Sequence, residues 1–283
     1  MPAVSVVVIT RDRRDSLLAA LRRLTLLPER PPITVVDNGS GDGTPEAVRR
    51  NFPDVRLIEA GRNLGSAGRT LGVRSAATPY VAFADDDSWW APGALATAVE
   101  LFTASERLAV LGARVLVGAE ERLDPVCTAM AASPLGRAAD LPGPSVLGFV
   151  ACGAVVRRSA YLQVDGFHPR FGVGGEEGLL AIDLASRGYG LAYVDAVVAH
   201  HHPSPARDPV GRRRTQVRNA VWSTWLRRPA GAVARQLVTL TPRLAADPAT
   251  RAGLLQAAHG LGWVLRERHV VSPDLECRLR SLD

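Results

Sequence analysis

Three consecutive carboxylates, Asp85, Asp86 and Asp87, follow an apolar run that predicts a buried strand. Adjacent negative charges repel one another, and they are costly at a half-buried strand end unless a cation or several hydrogen-bond donors compensate. Proteins commonly hold Mg²⁺ or Mn²⁺ with one or two carboxylates together with substrate phosphates. The triplet therefore indicates a divalent metal site, with a polar turn, or a cap on the helix predicted to begin at Ala91 and Pro92, as the alternative.

Asp37 begins a polar segment that continues through Asn-Gly and Asp-Gly dipeptides to Thr44. It stands directly after an apolar, β-branched run, where its carboxylate could accept hydrogen bonds from a nucleotide base or a ribose hydroxyl. The same dipeptides are common turn signals, so a plain loop is the alternative.

Two adjacent glutamates, Glu176 and Glu177, stand ahead of a run with helical apolar spacing. A carboxylate within hydrogen-bond reach of an acceptor hydroxyl can act as a general base. Negative charge also stabilises a helix N-terminus by complementing the helix dipole. The pair is thus either a candidate base or a structural helix start.

Three histidines, His200, His201 and His202, end a predicted strand. Side chains alternate between the two faces of a strand, so His200 and His202 should share one face. Because imidazole is a common metal ligand, we take His200 as the first candidate ligand and His202 as the second. Exposed histidines in a turn before Pro203 are the alternative.

Short apolar strands alternate with helical patterns over the first hundred residues and must position these groups. The spacing predicts strands over residues 4–9, 33–36, 55–58 and 80–84, and helices over residues 15–26, 44–51, 66–77 and 92–104. Such a βαβ series predicts a mostly parallel sheet with helices on both faces. Ligands bind outside the carboxyl ends of parallel strands, so Thr10, Asp37 and Asp85 should meet at one edge.

The remainder of the chain first continues the sheet and then becomes helical. We predict strands over residues 109–117, 146–157 and 194–202, an irregular excursion over 120–144, and helices over 212–226, 230–245 and 249–266 with a short tail from residue 273. The predicted domains are residues 1–205, which carry the candidate site, and a helical C-terminal region of residues 206–283.

The composition of the 283-residue chain is that of a soluble globular protein, with 47% hydrophobic and 22% charged residues. No apolar run reaches the ~18 residues of a membrane span, and the N-terminus lacks a basic leader, so a cytoplasmic protein is expected. Three distant cysteines suggest neither a disulfide framework nor a zinc site. All 34 basic residues are arginine, which suits phosphate ligands. Low aromatic content argues against nucleic acid.

An arginine-rich segment, residues 207–228, also contains Trp222 and Trp225 at helical spacing. The simplest interpretation is a helix that packs this apolar stripe on the main domain and leaves its arginines in water. A phosphate-contacting lid and a helix on the inner membrane face are the functional alternatives.

Four motifs, at residues 6–12, 35–44, 63–69 and 85–87, resemble those of family 2 glycosyltransferases of the GT-A fold in order and spacing. The resemblance continues through residues 165–167, 174–180 and 197–200, so it covers roughly residues 3 to 205. It implies an α/β, Rossmann-like GT-A domain. It also implies an inverting enzyme that moves a sugar from a nucleotide-diphosphate donor, usually UDP-linked, to an acceptor hydroxyl or amine.

The resemblance also implies roles for individual residues. The expected nucleotide-binding residues are Thr10, Arg11, Asp37, Gly65, Arg69, Asp85 and Asp86. Asp87, Asp85 and His200 are expected to hold Mn²⁺ or Mg²⁺, with Asp87 as the direct ligand. The catalytic base should be Glu177 or Glu176, and Glu177 stands where the family usually has aspartate.

Two other functions are compatible with parts of this pattern. A nucleotidyltransferase would use a similar sheet, but it usually carries a lysine in a glycine-rich phosphate loop, and the chain has no lysine. A non-catalytic sugar-nucleotide-binding module would not need the glutamate pair. The donor sugar, the acceptor, a peripheral membrane contact and a homodimer remain open at this point.

Overall fold

The structure of the protein, a computed structural model, describes residues 2–203 and 209–283. Within these two ranges, nine strands join one sheet, whose main path has the order β3-β2-β1-β4-β8-β6-β9-β5, with β7 beside β6. The strands are β1 (Val4–Thr10), β2 (Ile33–Asp37), β3 (Arg56–Glu59), β4 (Tyr80–Asp85), β5 (Ser88–Trp90), β6 (Leu108–Val117), β7 (Arg122–Leu123), β8 (Ala154–Arg157) and β9 (Gly190–His201).

The first four strands are parallel neighbours. All seven residues of β1 are buried, which matches the continuous apolar composition of a strand covered by helices on both faces. Strand β8 runs against both β4 and β6, while β6 and β9 run parallel to each other. Because β5 and β7 are also antiparallel to their neighbours, six of the nine described strands share one direction. The predicted mostly parallel α/β sheet is confirmed.

Helices cover both faces of the sheet. Those of the first region are α1 (Arg14–Leu24), α2 (Thr44–Asn51), α3 (Gly68–Ser75), α4 (Ala94–Ala104), α5 (Pro125–Ala131), α6 (Arg158–Gln163) and α7 (Glu177–Ser186). Alternate residues of β1 enter two separate cores, as the period of two along a strand requires. Val6 and Val8 belong to the core that includes Leu17, whereas Val7 belongs to the core that includes Leu180.

Five further helices form the C-terminal region: α8 (Pro209–Arg227), α9 (Ala230–Ala246), α10 (Pro248–His259), α11 (Leu261–Glu267) and α12 (Pro273–Arg280). Their apolar residues Trp222 and Trp263 share a buried cluster with Phe171 and Leu179 of the first region. The apolar stripe of α8 therefore packs inward, as the simplest interpretation predicted, but Arg227 and Arg228 are buried in ion pairs rather than left in water. None of the helices in the described part of the chain has the length and apolar character that crossing a bilayer requires.

The structure differs from the sequence-based prediction at several places. Residues 120–144, predicted to be irregular, contain β7 and α5, and the strand predicted from residue 146 begins only at Ala154. The single helix predicted over 249–266 is divided at Gly260, where a Cβ atom would lie 2.7 Å from the indole nitrogens of Trp222 and Trp263. The predicted domain boundary between residues 205 and 206 lies outside the described residues, so that division remains a prediction.

Candidate active site

The carboxyl ends of the parallel strands open into a cavity of ≈ 680 Å³. One wall consists of residues that follow β1, β2 and β4. The opposite wall comes from the loop before α7, from the start of α7 and from α8. The lining includes Thr10, Arg11, Asn38, Gly65, Arg69, Asp85, Asp86, Asp87, Gly174, Glu176, Glu177, His201, Arg212 and Gln216.

The acidic triplet occupies a tight connection, because β4 ends at Asp85 and β5 begins at Ser88. The backbone amide of Asp85 donates to Ser88 Oγ over 2.7 Å, which holds the turn closed. Helix α4 begins later and has Gly93 at its N-cap without any side-chain cap. The triplet is therefore not a helix cap, although it does lie in a turn, the other structural alternative.

The three carboxylates have three different partners. Asp85 forms an ion pair with Arg69. Asp86 accepts a hydrogen bond from Thr10 Oγ1 over 3.0 Å, and burial together with the charges of its two aspartate neighbours raises the pKa of Asp86 to about 7. Asp87 Oδ1 lies 3.3 Å from His201 Nε2. The like charges are thus spread over separate partners, and Asp87 is the one that meets an imidazole.

The register of β9 against β5 brings His201, rather than the predicted His200, to the triplet. His201 pairs with Ser88 and His200 pairs with Trp89, so the two imidazoles lie on opposite faces of the strand. His200 stacks on the Trp89 ring, with centroids 5.4 Å apart, and His202 contacts the same ring at 4.7 Å. The structure therefore does not place His200 in the cavity wall, and the candidate imidazole ligand is corrected to His201.

The donor atoms near the triplet fit a divalent ion that substrate phosphates complete. Within the described residues, no group of three or more His, Cys, Asp and Glu side chains is arranged to hold a metal ion. Asp87 and His201 nevertheless offer a carboxylate and an imidazole side by side. One or two protein ligands are the usual number when phosphates and water supply the rest. The described part of the chain therefore contributes a partial metal site.

The edge after β1 and β2 presents polar groups suited to a nucleotide. Asp37 Oδ2 accepts from the backbone amides of Gly39 (3.1 Å) and Ser40 (2.9 Å). Its Oδ1 is buried and has no hydrogen-bond partner among the described residues, which leaves it for a ligand donor. Asp37 itself is absent from the cavity lining, but its neighbour Asn38 is part of it. The polar segment thus forms a turn that closes on Asp37 Oδ2 and leaves Oδ1 unpaired among the described residues.

Gly65 has a structural task that the resemblance did not specify. It adopts φ +57°, and a Cβ atom there would lie 2.7 Å from the Cα atom of Gly172. Asn38 Nδ2 donates to the carbonyl of Gly65 over 3.1 Å. Gly65 therefore joins the nucleotide edge of the cavity to the loop on the opposite wall.

Arg69 lies between the acidic triplet and the glutamate pair. Its side chain is 1% exposed, forms the ion pair with Asp85 and has Nη1 4.0 Å from Glu176 Oε1. Burial alone would lower the pKa of this guanidinium, but the attraction of Asp85 and Glu176 outweighs burial and raises it. Nε and Nη1 have no hydrogen-bond partner among the described residues, so donors remain for ligand oxygens.

The glutamate pair forms the far wall at the start of α7. Glu176 is 2% exposed and accepts a hydrogen bond from the backbone amide of Gly174. Glu177 is half-buried and begins the helix. Burial raises the pKa of both carboxyls, and repulsion from Glu177 raises that of Glu176 further. Raised pKa values are typical of carboxyls that exchange protons near neutral pH.

Helix α8 supports the loop that leads into this pair, a role that sequence reasoning missed. Asn219, which is fully buried, donates to the carbonyls of Phe171 (3.0 Å) and Gly174 (2.8 Å). Arg218 Nη2 donates to the same Phe171 carbonyl over 2.6 Å. The only signal in the sequence is a polar Asn219 within the apolar stripe of the helix. Gln216 and Arg212 of α8 reach the cavity wall itself.

Comparisons with known proteins identify related chains. A family model described as glycosyl transferase family 2 matches residues 5–164. The chain is 28% identical over 244 residues to the N-acetylglucosaminyl-diphospho-decaprenol L-rhamnosyltransferase of Mycobacterium tuberculosis, an alignment that covers 72% of this chain and 78% of that protein.

Two solved structures illustrate the structural similarity. The mannosyltransferase PcManGT of Pyrobaculum calidifontis, in complex with GDP-Man and Mn²⁺, matches with a TM-score of 0.61 and 22% identity over 99% of this chain and 85% of that chain. TarS of S. aureus, in complex with UDP-GlcNAc, matches with a TM-score of 0.56 and 15% identity over 78% of this chain and 66% of that chain. At these identities, the similarity shows a shared fold.

Proposed function

The chain belongs to glycosyl transferase family 2 and is a glycosyltransferase with a GT-A-like fold that uses a nucleotide-sugar donor, and from that premise we propose a single displacement with inversion. One observation supports this mechanism above the others. Arg69 forms an ion pair with Asp85, lies 4.0 Å from Glu176 and is also attracted by the charge of Glu177, so a candidate phosphate and metal edge and a candidate base share one cavity. In-line displacement needs leaving group and base on opposite sides of the reacting carbon.

The donor nucleotide would lie along the edge that Thr10 and Asn38 line, next to Asp37, and its diphosphate would lie near Asp87 and His201. A Mn²⁺ or Mg²⁺ ion bound by Asp87 and His201 would supply charge compensation for the departing diphosphate. Arg69 holds Asp85 in place, and its unpaired N–H groups would donate hydrogen bonds to oxygen atoms of the nucleotide sugar.

The acceptor would approach from the glutamate wall. Its hydroxyl oxygen forms a bond to the anomeric carbon while the bond from that carbon to the diphosphate oxygen breaks, and the bonding electrons leave with the diphosphate. The hydroxyl proton passes to a glutamate carboxylate. We assign this role to Glu177, because Glu176 is almost fully buried and already accepts from the Gly174 amide.

We base the proposed donor sugar and acceptor on the rhamnosyltransferase of Mycobacterium tuberculosis. Similarity to the rhamnosyltransferase supports L-rhamnose as the transferred sugar and a sugar on a lipid diphosphate as the acceptor. The UDP-linked donor expected from the sequence remains a second hypothesis. A lipid-linked acceptor would also bring the protein to a membrane surface.

The decisive experiment supplies UDP-, dTDP- and GDP-linked sugars with Mn²⁺ and an N-acetylglucosaminyl diphosphate carried on a short prenol. We expect one donor to release its nucleoside diphosphate together with a product of inverted anomeric configuration by NMR. Glu177→Gln should lower kcat by roughly 10²- to 10⁴-fold, the usual contribution of a general base. The exposed Glu106→Gln is the matched control.

Three results would contradict the proposal. Retention of the anomeric configuration would exclude a single displacement. Full activity of Glu177→Gln would exclude that residue as the base. Donor binding without turnover, with every donor and acceptor supplied, would instead indicate a non-catalytic sugar-nucleotide-binding module.

A further inference from the structure

Helix α8 contributes two side chains to the glutamate wall of the cavity. Arg212 and Gln216 are four residues apart, so they lie on one face of the helix, and both line the cavity. A Cβ atom on Gly174 would lie 3.3 Å from Gln216 Cγ and 3.9 Å from Arg212 Cγ. Because the Gly174 amide donates to Glu176, the Cγ atoms of both side chains lie close to the glutamate pair.

The neighbouring arginines of α8 have other tasks. Arg213 Nε lies 3.7 Å from Asp247 Oδ2 at the start of α10. Arg218 donates to the Phe171 carbonyl and lies over the Trp222 ring at 4.5 Å. Arg214 is exposed and is absent from the cavity lining. Arg212 is therefore the member of this run that can meet a ligand in the cavity.

The surrounding charge favours an anion at this wall. The first eleven residues of α8, residues 209–219, contain four arginines and no acidic residue. Such a segregated positive region raises the local concentration of anionic ligands. The planar guanidinium of arginine also matches phosphate oxygens with two parallel hydrogen bonds.

We propose that Arg212, together with Gln216, binds a phosphate group of the acceptor. The acceptor is then a glycosyl phosphate or diphosphate, held so that a hydroxyl of its sugar reaches Glu177. This inference rests on the proposed transferase function and adds the residue that selects the acceptor. The alternative source of phosphate is the donor, whose diphosphate belongs at the opposite wall beside Asp87 and His201.

The test compares two acceptors with the same sugar. One is N-acetylglucosaminyl diphosphate on a short prenol, and the other is the uncharged octyl N-acetylglucosaminide. For Arg212→Gln, the preference in kcat/KM for the charged acceptor should fall roughly 10- to 100-fold, the worth of a charge-assisted hydrogen bond. Arg214→Gln, which removes an equal charge from the same run, should keep the wild-type preference.

Calorimetry with the charged acceptor and nucleoside diphosphate measures binding without turnover and separates this inference from the proposed reaction. Wild-type protein that binds the acceptor more tightly than Arg212→Gln supports the inference even if no transfer occurs. Equal affinity in the two proteins, or no binding by the wild type, overturns it. A rise in the donor KM of Arg212→Gln with no change in acceptor preference also overturns it, because the phosphate would then be the donor's.

Discussion

At the scale of single residues, the pairing of β9 with β5 determines which imidazole can assist the acidic triplet. His201 faces Asp87 at 3.3 Å, while His200 stacks on Trp89 and has its Nδ1 2.9 Å from Glu121. The two histidines are adjacent and chemically identical, so substitution of each gives a matched pair.

We expect His201→Ala to raise the Mn²⁺ concentration for half-maximal transfer by at least about tenfold, because a ligand or close neighbour of the metal would be lost. His200→Ala should shift this concentration little, since its ring packs outside the cavity. The measurement is a metal titration of initial rates at saturating donor. A larger shift for His200→Ala than for His201→Ala would contradict the assignment.

Part of this site follows from sequence reasoning and part does not. Parallel strands deliver their carboxyl ends to one edge, which is why Thr10, Asp37 and Asp85 could be expected to converge. Which of the adjacent histidines faces the acidic triplet could not be predicted, because a shift of one residue in strand pairing moves every side chain to the other face. The pairing partner that decides this, strand β5, has only three residues and therefore shows no recognisable hydrophobic pattern in the sequence.

At the scale of elements, helix α8 acts as a brace for the loop before α7. Gly174 and Gly175 adopt φ +120° and +81°, backbone conformations that other residues rarely accept. Asn219 uses both hydrogens of its side-chain amide on this loop, at Phe171 and Gly174. The candidate base therefore depends on a helix that the sequence placed in a separate domain.

Asn219→Ala should lower kcat by roughly 10- to 100-fold, because a small displacement of a catalytic group is costly. Donor affinity should change little, since the donor edge lies on the opposite wall. The matched control is Thr224→Ala, which removes a buried hydroxyl of the same helix whose contact is Gln236 rather than the loop. Kinetics and donor calorimetry on both variants test the brace. Equal loss of kcat in the two would show a general effect of destabilising α8.

The elements themselves were predictable where burial imposes a simple pattern. Strands β1 to β4 lie within one residue of the predicted limits, because apolar β-branched runs between turn signals have few other interpretations. The insertion of β8 between β4 and β6 was not predictable, since it depends on long-range antiparallel pairing. Helix α5, only seven residues long, is too short to show a clear period.

At the scale of the whole molecule, buried ion pairs tie the last helix to the rest of the C-terminal region. Arg228, at the end of α8, donates to both oxygens of Glu276 over 3.0 and 3.1 Å. Glu276 lies on α12, is 5% exposed and also accepts from Arg280 over 3.0 Å. Burial favours the neutral carboxyl, but the hydrogen bonds from Arg228 and Arg280 outweigh burial and lower the pKa of Glu276.

This pair makes the stability of the protein depend on pH in a defined direction. A carboxyl whose pKa is lower in the folded state stabilises the fold above its unfolded pKa, and that contribution is lost as pH falls through the folded value. The ordinary pKa of a glutamate carboxyl is 4.5, so the contribution of Glu276 should be complete above about pH 5.5 and absent in strong acid.

We expect Glu276→Gln to lower the free energy of unfolding at pH 7 by about 2 kcal/mol, the worth of hydrogen bonds to a charged group. This deficit should shrink as pH falls below about 4.5, because the unfolded wild-type chain then gains a proton at this carboxyl, and it should vanish below the lowered pKa of the folded state. Asp283 also accepts a hydrogen bond from Arg228, but it is present in both the wild type and the variant, so its own contribution to stability is common to both. Asp274→Asn removes an exposed charge from the same helix and should cost only about 0.5 kcal/mol. Denaturant unfolding at pH 7, 5, 4 and 3 measures all three proteins, and a deficit that stays constant across this range would show that the lost stability comes from packing rather than from the charge on Glu276.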